Sequence, residues 1–303
     1  MVGATEGGIA VDALQGGALV QPRPRRGLAF RWFVTRQPLG AAAGLVVLIL
    51  IAVAVLAPAL SPFNPQTFAG APYTHPGSRL LLGTDSLGRD IASRLIWGAR
   101  ISLYVGIAAA LIGVLGGAAL GAITSYVGGI ADLAAVRLVD GGQAFPPLVL
   151  ALVLMGTFGA SVNNVIIAVA IIYIPITARV VRPIVLSLKQ SQYIEAARAS
   201  GASGTRVLLR HIVPNAVPSA LVLFSLAIGN AIVVEASLSF LGVGIPPNVA
   251  SWGGMVNTAE IQTLAIAPWI MLAPAAAIAL SVYAFNLLGD AVRDAIDPKL
   301  RTG

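Results

Sequence analysis

Long apolar runs alternate with short polar stretches along most of the chain. The first run covers residues 39–60, and five more cover roughly 101–126, 131–157, 163–188, 212–241 and 267–288. Each is long enough to cross a hydrocarbon layer of ~30 Å as a helix. The pattern predicts an all-α polytopic membrane protein with six transmembrane helices. Residues 1–38 carry no apolar period and read as a flexible cytoplasmic tail. Ala57-Pro58-Ala59 mimics a signal-peptide cleavage site, but the run before it is too long for that. Residues 61–99 form the longest polar connection, with Pro62, Pro65, Pro72 and Pro76 in its first half. Its second half, LGTDSLGRDIASRLIWGAR, predicts a short amphipathic helix. Thr84 or Asp85 would cap it, and Leu87, Ile91, Leu95 and Ile96 would share its apolar face. Residues 100–290 form the membrane core, and 291–303 a C-terminal cytoplasmic tail.

Composition agrees with this class. The chain is 57% hydrophobic and 10% charged, against roughly 25% charged residues in soluble domains. The net charge of +7 does not form a stripe on a soluble domain, so it does not point to nucleic acid. The cations fall instead in clusters between apolar runs. The tail holds Arg23, Arg25, Arg26, Arg31 and Arg36. The 189–210 connection holds Lys189, Arg198, Arg206 and Arg210, and the C-terminus Arg293, Lys299 and Arg301. The connections at 158–162 and 242–266 hold no Lys or Arg. The positive-inside rule then places both termini and the 189–210 connection in the cytoplasm. Arg79, Arg89 and Arg94 in the 61–99 connection run against that rule, partly balanced by Asp85 and Asp90.

The chain has no cysteine and two histidines, His75 and His211, which leaves no credible metal site. There is no Walker A pattern, so any ATP hydrolysis would belong to another subunit. Gly201-Ala202-Ser203-Gly204 fits a serine-protease pattern of membrane enzymes, with His211 nearby. That Ser lies among arginines in a predicted cytoplasmic loop, and no later span supplies a base.

The most informative polar stretch is KQSQYIEAARASGASGTRVLLRHIVPN, residues 189–215. Ser191 is a plausible N-cap. Tyr193, Ala196, Ala197 and Ser200 recur at helical spacing and make a small, flat face. Glu195 and Arg198 lie one turn apart on a more exposed side. Gly201 is the expected left-handed C-cap, Ser203 caps the next helix, and Pro214 and Pro218 bend the start of the following span. The product is a short helix, 190–203, held across the ends of two spans. From spacing alone it is equally an ordinary capped loop.

Glu195, Ala196, Ala197, Gly201 and Pro214 resemble the EAA loop of bacterial ATP-binding-cassette (ABC) importer permeases. That family usually has an aliphatic residue three before the proline and leucine one before it; His211 and Val213 stand here. The segments LLGTDSLGRDIASRLIWGARISL, EASLSFLGVGIPP, SWGGM and LLGDAVRDAIDPKLR resemble the dipeptide/oligopeptide/nickel permease group, specifically its C-type membrane subunit. The resemblance implies a type I importer permease fold in a bacterial inner membrane. It implies a homologous B-type permease, two ATPase subunits that hold ATP and Mg2+, and an extracytoplasmic solute-binding protein. It implies a peptide substrate, dipeptides first, with no cofactor bound by this chain. Glu195, Ala196, Ala197, Arg198, Gly201 and Pro214 would couple the chain to the ATPases.

Other positions carry weaker expectations. Gly106, Gly113, Gly117 and Gly121 line one face of the second span, where small residues let helices approach closely. Glu235 lies deep in the fifth span, either near the translocation path and its gate or as a hydrogen-bonded structural acid. Asn230 is a further candidate for a polar pathway. Arg137 and Asp140 have the spacing of a local ion pair, and Arg179 and Arg182 would reach toward lipid headgroups. An ion-coupled secondary transporter of six spans is the rival class.

Overall fold

The computed structural model describes residues 37–257 and 266–296. The tail through Arg36 and the last residues, with Lys299 and Arg301, lie outside the described residues. Among the described residues five helices are long and apolar enough to cross a membrane: α1 (Pro38–Val55), α3 (Ile91–Val127), α6 (Val162–Lys189), α9 (Val213–Phe240, which continues a stretch from Gly204) and α11 (Trp269–Ile296). Short helix α2 (Ala57–Leu60) follows α1. The remaining apolar run is a pair, α4 (Gly129–Gln143) and α5 (Pro147–Phe158), bent by 91°.

The predicted 131–157 span is therefore broken. Pro146 and Pro147 explain the break: Pro147 has no N–H to give a preceding turn, and the residue before a proline is driven out of the helical region. The pair still makes one crossing, as packing elsewhere shows. A Cβ on Gly113 would lie 2.9 Å from the Ala170 carbonyl oxygen, and one on Gly121 2.7 Å from that of Ala178; Gly117 abuts Ile174 between them. Residue numbers rise together on α3 and α6, so the two helices run parallel. The chain between them must return to the starting end, and α4 with α5 is that return. With the bent pair as one crossing, the described residues make six, and residues 37 and 296 lie at the same end of the bundle.

These contacts also divide the predicted glycine face. Gly113, Gly117 and Gly121 lie against the α6 backbone, whereas Gly106 meets Ile232 and the Ile228 carbonyl of α9. With no Cβ, the α3 and α6 backbones come close enough for dense dispersion contact, which holds membrane helices together where water exclusion cannot. Around this seam lie the buried Val105, Ala109, Val169 and Ile172. Gly40 and Gly44 set α1 antiparallel against Ala291 and Leu288 of α11. Gln37 donates to the Asp294 carboxylate (3.0 Å), so α11 runs past the predicted boundary at 290 and ends beside the start of α1. On its outward side α1 exposes Leu45, Leu48, Ile49 and Val55, as a helix facing lipid does.

The 61–99 connection differs from the amphipathic helix expected there. Asp90, rather than Thr84 or Asp85, is the N-cap, and its carboxylate accepts from the Ser93 N–H (2.8 Å). The helix starts at Ile91 and runs unbroken into the second span as α3, 37 residues long. That length is roughly 55 Å, well beyond a bilayer's hydrocarbon, so one or both ends of α3 stand outside it. Leu87 is in the loop and 61% exposed, while Ile91 is fully buried. The reason is local. The Asp85 carboxylate turns back onto the Leu87 and Arg89 N–H groups (2.9 Å each), Gly88 takes φ 70°, and Thr84 pairs with Asp90 in an isolated bridge. Asp85 thus closes a tight loop where the periodicity predicts a helix.

Candidate functional site: a short helix across the bundle end

Three spans meet at the end of the bundle that holds residues 37 and 296: α3 and α6 finish there and α9 begins. Across this end lies α7 (Gln192–Ala199), followed by α8 (Gly204–Val207) and a single π-turn, Leu208–Ile212. Ile194 fixes α7 in place. It is 0% exposed and packs in a separate core with Ala122 of α3, Val181 and Val185 of α6, and Ile212 and Ala216 at the start of α9. Ile194 is the only branched aliphatic between Gln190 and Arg206. That isolation is the signal by which the sequence marks it, although the small-residue face drew attention first.

The cap geometry follows from glycine. Gly201 has φ 83°, its N–H donates to the Arg198 carbonyl (2.9 Å), and the Ala202 N–H donates to that of Ala197 (3.0 Å). These two bonds are a Schellman closure, which satisfies the last carbonyls of α7 and turns the chain sharply. A Cβ at Gly201 would meet nothing within 4 Å, so backbone angle alone demands glycine there. Ser191 occupies the N-cap position, but its hydroxyl donates to the Leu188 carbonyl (2.6 Å) and makes no cap bond. Ser203 does cap α8 through the Arg206 N–H (3.4 Å). Pro214 lies just past the π-turn that carries the helix on from α8; that turn closes with Val213 N–H on the Leu208 carbonyl, so proline's missing N–H falls where the hydrogen-bond register changes.

Tyr193, Glu195, Ala196, Arg198 and Ser200 face outward, and Ala197 is half-buried. The Glu195 carboxylate has no partner among the described residues. Arg198 does not pair with it; its guanidinium lies 5.7 Å above the Tyr126 ring of α3. Lys189 donates to the Tyr126 carbonyl (2.8 Å) and also approaches that ring. Tyr126 is thus a post to which both cations of this corner are tied.

Two further ion pairs brace the same end. Arg182 of α6 holds Asp132 of α4 in a two-point pair, 2.9 Å and 2.7 Å. Arg179 pairs with Asp140. The expected Arg137–Asp140 pair is absent because Arg179, on the facing helix, takes Asp140 instead. Arg179 and Arg182 accordingly bind α4 rather than reaching to headgroups.

The candidate pathway residues lie elsewhere. Asn230 is exposed and lines a cavity of about 400 Å3 with Pro147 of α5, Tyr173 and Thr177 of α6, and Val233 of α9. Glu235 is 0% exposed near the opposite end of α9. The Ser239 hydroxyl donates to its Oε1 (2.9 Å), and the hydroxyls of Ser102 and Ser251 are its other side-chain neighbours. Those two oxygens meanwhile accept from the Trp252 N–H (3.2 Å) and the Gly254 N–H (3.1 Å). Helix α10 (Trp252–Asn257) is thereby wedged between α3 and α9, with the Trp252 indole donating to the Leu95 carbonyl (3.0 Å). The serines of this cage are individually unremarkable in sequence, and only the fold brings them together. Among the described residues no cluster of His, Asp and Glu could hold a metal ion.

A family model described as "Binding-protein-dependent transport system inner membrane component" matches residues 113–302. The chain belongs to this family of ABC importer permeases. It is 46% identical over 269 residues to the glutathione transport system permease protein GsiD of Pectobacterium atrosepticum, covering 88% of this chain and 89% of that protein. It is 45% identical over 268 residues to the protein of the same name from Escherichia coli O157:H7, with 88% of each covered. Membership in this permease family replaces the ion-coupled alternative. Permeases of this kind are transport components of the membrane, working with a second permease, ATPases and a binding protein. Helix α7 and its Schellman turn lie within the matched region.

Proposed function

We propose that this permease forms one half of the translocation pathway for a small peptide, and that α7 is the handle by which ATPase subunits move it. The observation that carries the reading is the division of labour within α7. Ile194 clamps it to three spans, while a flat outer face and the unpaired Glu195 are left for another protein. A push on α7 is then transmitted to α3, α6 and α9 together, the rigid-body route to alternating access. ATP and Mg2+ belong to the ATPases, and this chain binds no cofactor of its own. The end that bears α7 is cytoplasmic in this reading, which is supported by the cations Arg137, Lys189, Arg198, Arg206, Arg210 and Arg293 gathered there. Arg89 and Arg94, which ran against the rule, are buried with Asp85 and add little exposed charge to the other end.

The sequence pointed to dipeptides first. The relatives carry the name of a glutathione transporter, so glutathione, a tripeptide, becomes the first substrate to test. Asn230 faces the candidate pathway, and Glu235 serves the closure opposite α7. The test is uptake into proteoliposomes holding both permeases and the ATPases, with the binding protein added outside. ATP-dependent glutathione uptake, lost in Glu195→Gln and Gly201→Val with membrane insertion retained, is the expected result. Uptake that needs no ATPase, or wild-type rates in both variants, overturns the reading.

A further inference from the structure

At the end of the bundle opposite α7, a cleft of about 470 Å3 opens between α1 and α3 on the membrane-facing side. Ile51 and Val55 of α1 and Ile101 and Ile107 of α3 make apolar walls, and Leu45 and Leu48 of the same α1 are exposed. Two lining groups are polar, Arg100 and Tyr104. Arg100 is exposed, and no carboxylate pairs with it among the described residues. Its recorded contact is the Trp97 ring, 5.6 Å from the guanidinium carbon.

The level of Arg100 follows from α1. Val55 is the last residue of that membrane-spanning helix, five residues before the polar 61–90 loop begins, and it shares the cleft with Arg100. The cation therefore sits where hydrocarbon meets headgroups. Trp97 and Tyr104 stand one turn to either side of it on α3, the amphipathic rings that favour this depth. An unpaired guanidinium there finds its best partner in a phosphate, which it can grip through two parallel N–H donors. The apolar walls exclude a free inorganic anion as the fitting occupant and suit an acyl chain.

We propose that this cleft is a phospholipid site, in which Arg100 takes the phosphodiester, Trp97 and Tyr104 flank the glycerol level, and the α1–α3 walls hold an acyl chain. Unlike the coupling reading, it requires only that the chain spans a membrane. The test uses the assembled transporter extracted from nanodiscs of phosphatidylglycerol and phosphatidylethanolamine. Native mass spectrometry counts retained phospholipid, and a phospholipid with a photoreactive acyl chain maps contacts. Removing one interfacial cation–phosphate contact predicts about a five-fold fall in retained lipid for Arg100→Gln. Arg100→Lys keeps the charge and gives an intermediate value, and wild-type crosslinks fall within residues 97–107. Equal retention in wild type and Arg100→Gln overturns the proposal. So does an absence of crosslinks in this stretch because the second permease covers the cleft.

Discussion

Asp85, Arg89 and Arg94, at the end opposite α7, are nearly sealed from solvent, with Asp85 bonded to Arg89 at 2.7 Å and 3.5 Å from Arg94. Arg179 and Asp140, at the α7 end, are 52% and 51% exposed. The same pairing of guanidinium and carboxylate does different work in the two places. A sealed network has few alternative partners, so it fixes the loop to the head of α3. An exposed pair exchanges with water and salt at little cost, so at this end the two-point Arg182–Asp132 pair, and not Arg179–Asp140, does most to tie α4 to α6. One end is sealed to hold its shape; the other, in the proposed reading, is the end that partners move.

The largest effects are expected at the sealed end. Asp85→Ala leaves two buried arginines without their carboxylate and should cost about 3–5 kcal/mol, read as a large fall in melting temperature in detergent. Retention of the wild-type melting temperature would mean that the network is not structural. Next, Gly117→Val forces a side chain onto the α6 backbone at Ile174. Overpacking of this kind costs about 1–3 kcal/mol, so this variant should lower yield and stability. Gly201→Ala is milder, about 1–2 kcal/mol for a left-handed non-glycine residue, and uptake should decline by more than its few-degree fall in melting temperature explains. The smallest effect belongs to Arg179→Ala, at most about 1 kcal/mol and vanishing in high salt. A large loss there would contradict the contrast between the ends.

Much of this was legible in the residues, and the losses have physical causes. The six crossings and the Gly201 turn follow from apolar run length and from glycine, the residue that takes a positive φ most readily. The break at Pro146-Pro147 was written in the sequence too, but apolar length outweighed it, since hydropathy does not see a bend. An Asp before an apolar period reads as a cap, whereas the Asp85 carboxylate closes its own loop. The Arg182–Asp132 pair joins residues fifty apart, which helical spacing cannot reveal. For the same reason Ser102, Ser239 and Ser251 gave no hint that they gather around Glu235. Ile194 was readable as a lone aliphatic in a polar stretch, but its three-helix socket needed the fold.

In the proposed reading α7 is a cytoplasmic handle gripped by another subunit. The chain has no native cysteine, so Ala196→Cys gives a single label on the exposed face of α7. A membrane-impermeant maleimide should react with it in inverted vesicles and not in right-side-out ones, and added ATPase subunits should protect it. Labelling from the extracellular side, or full reactivity with the ATPases bound, would contradict the account.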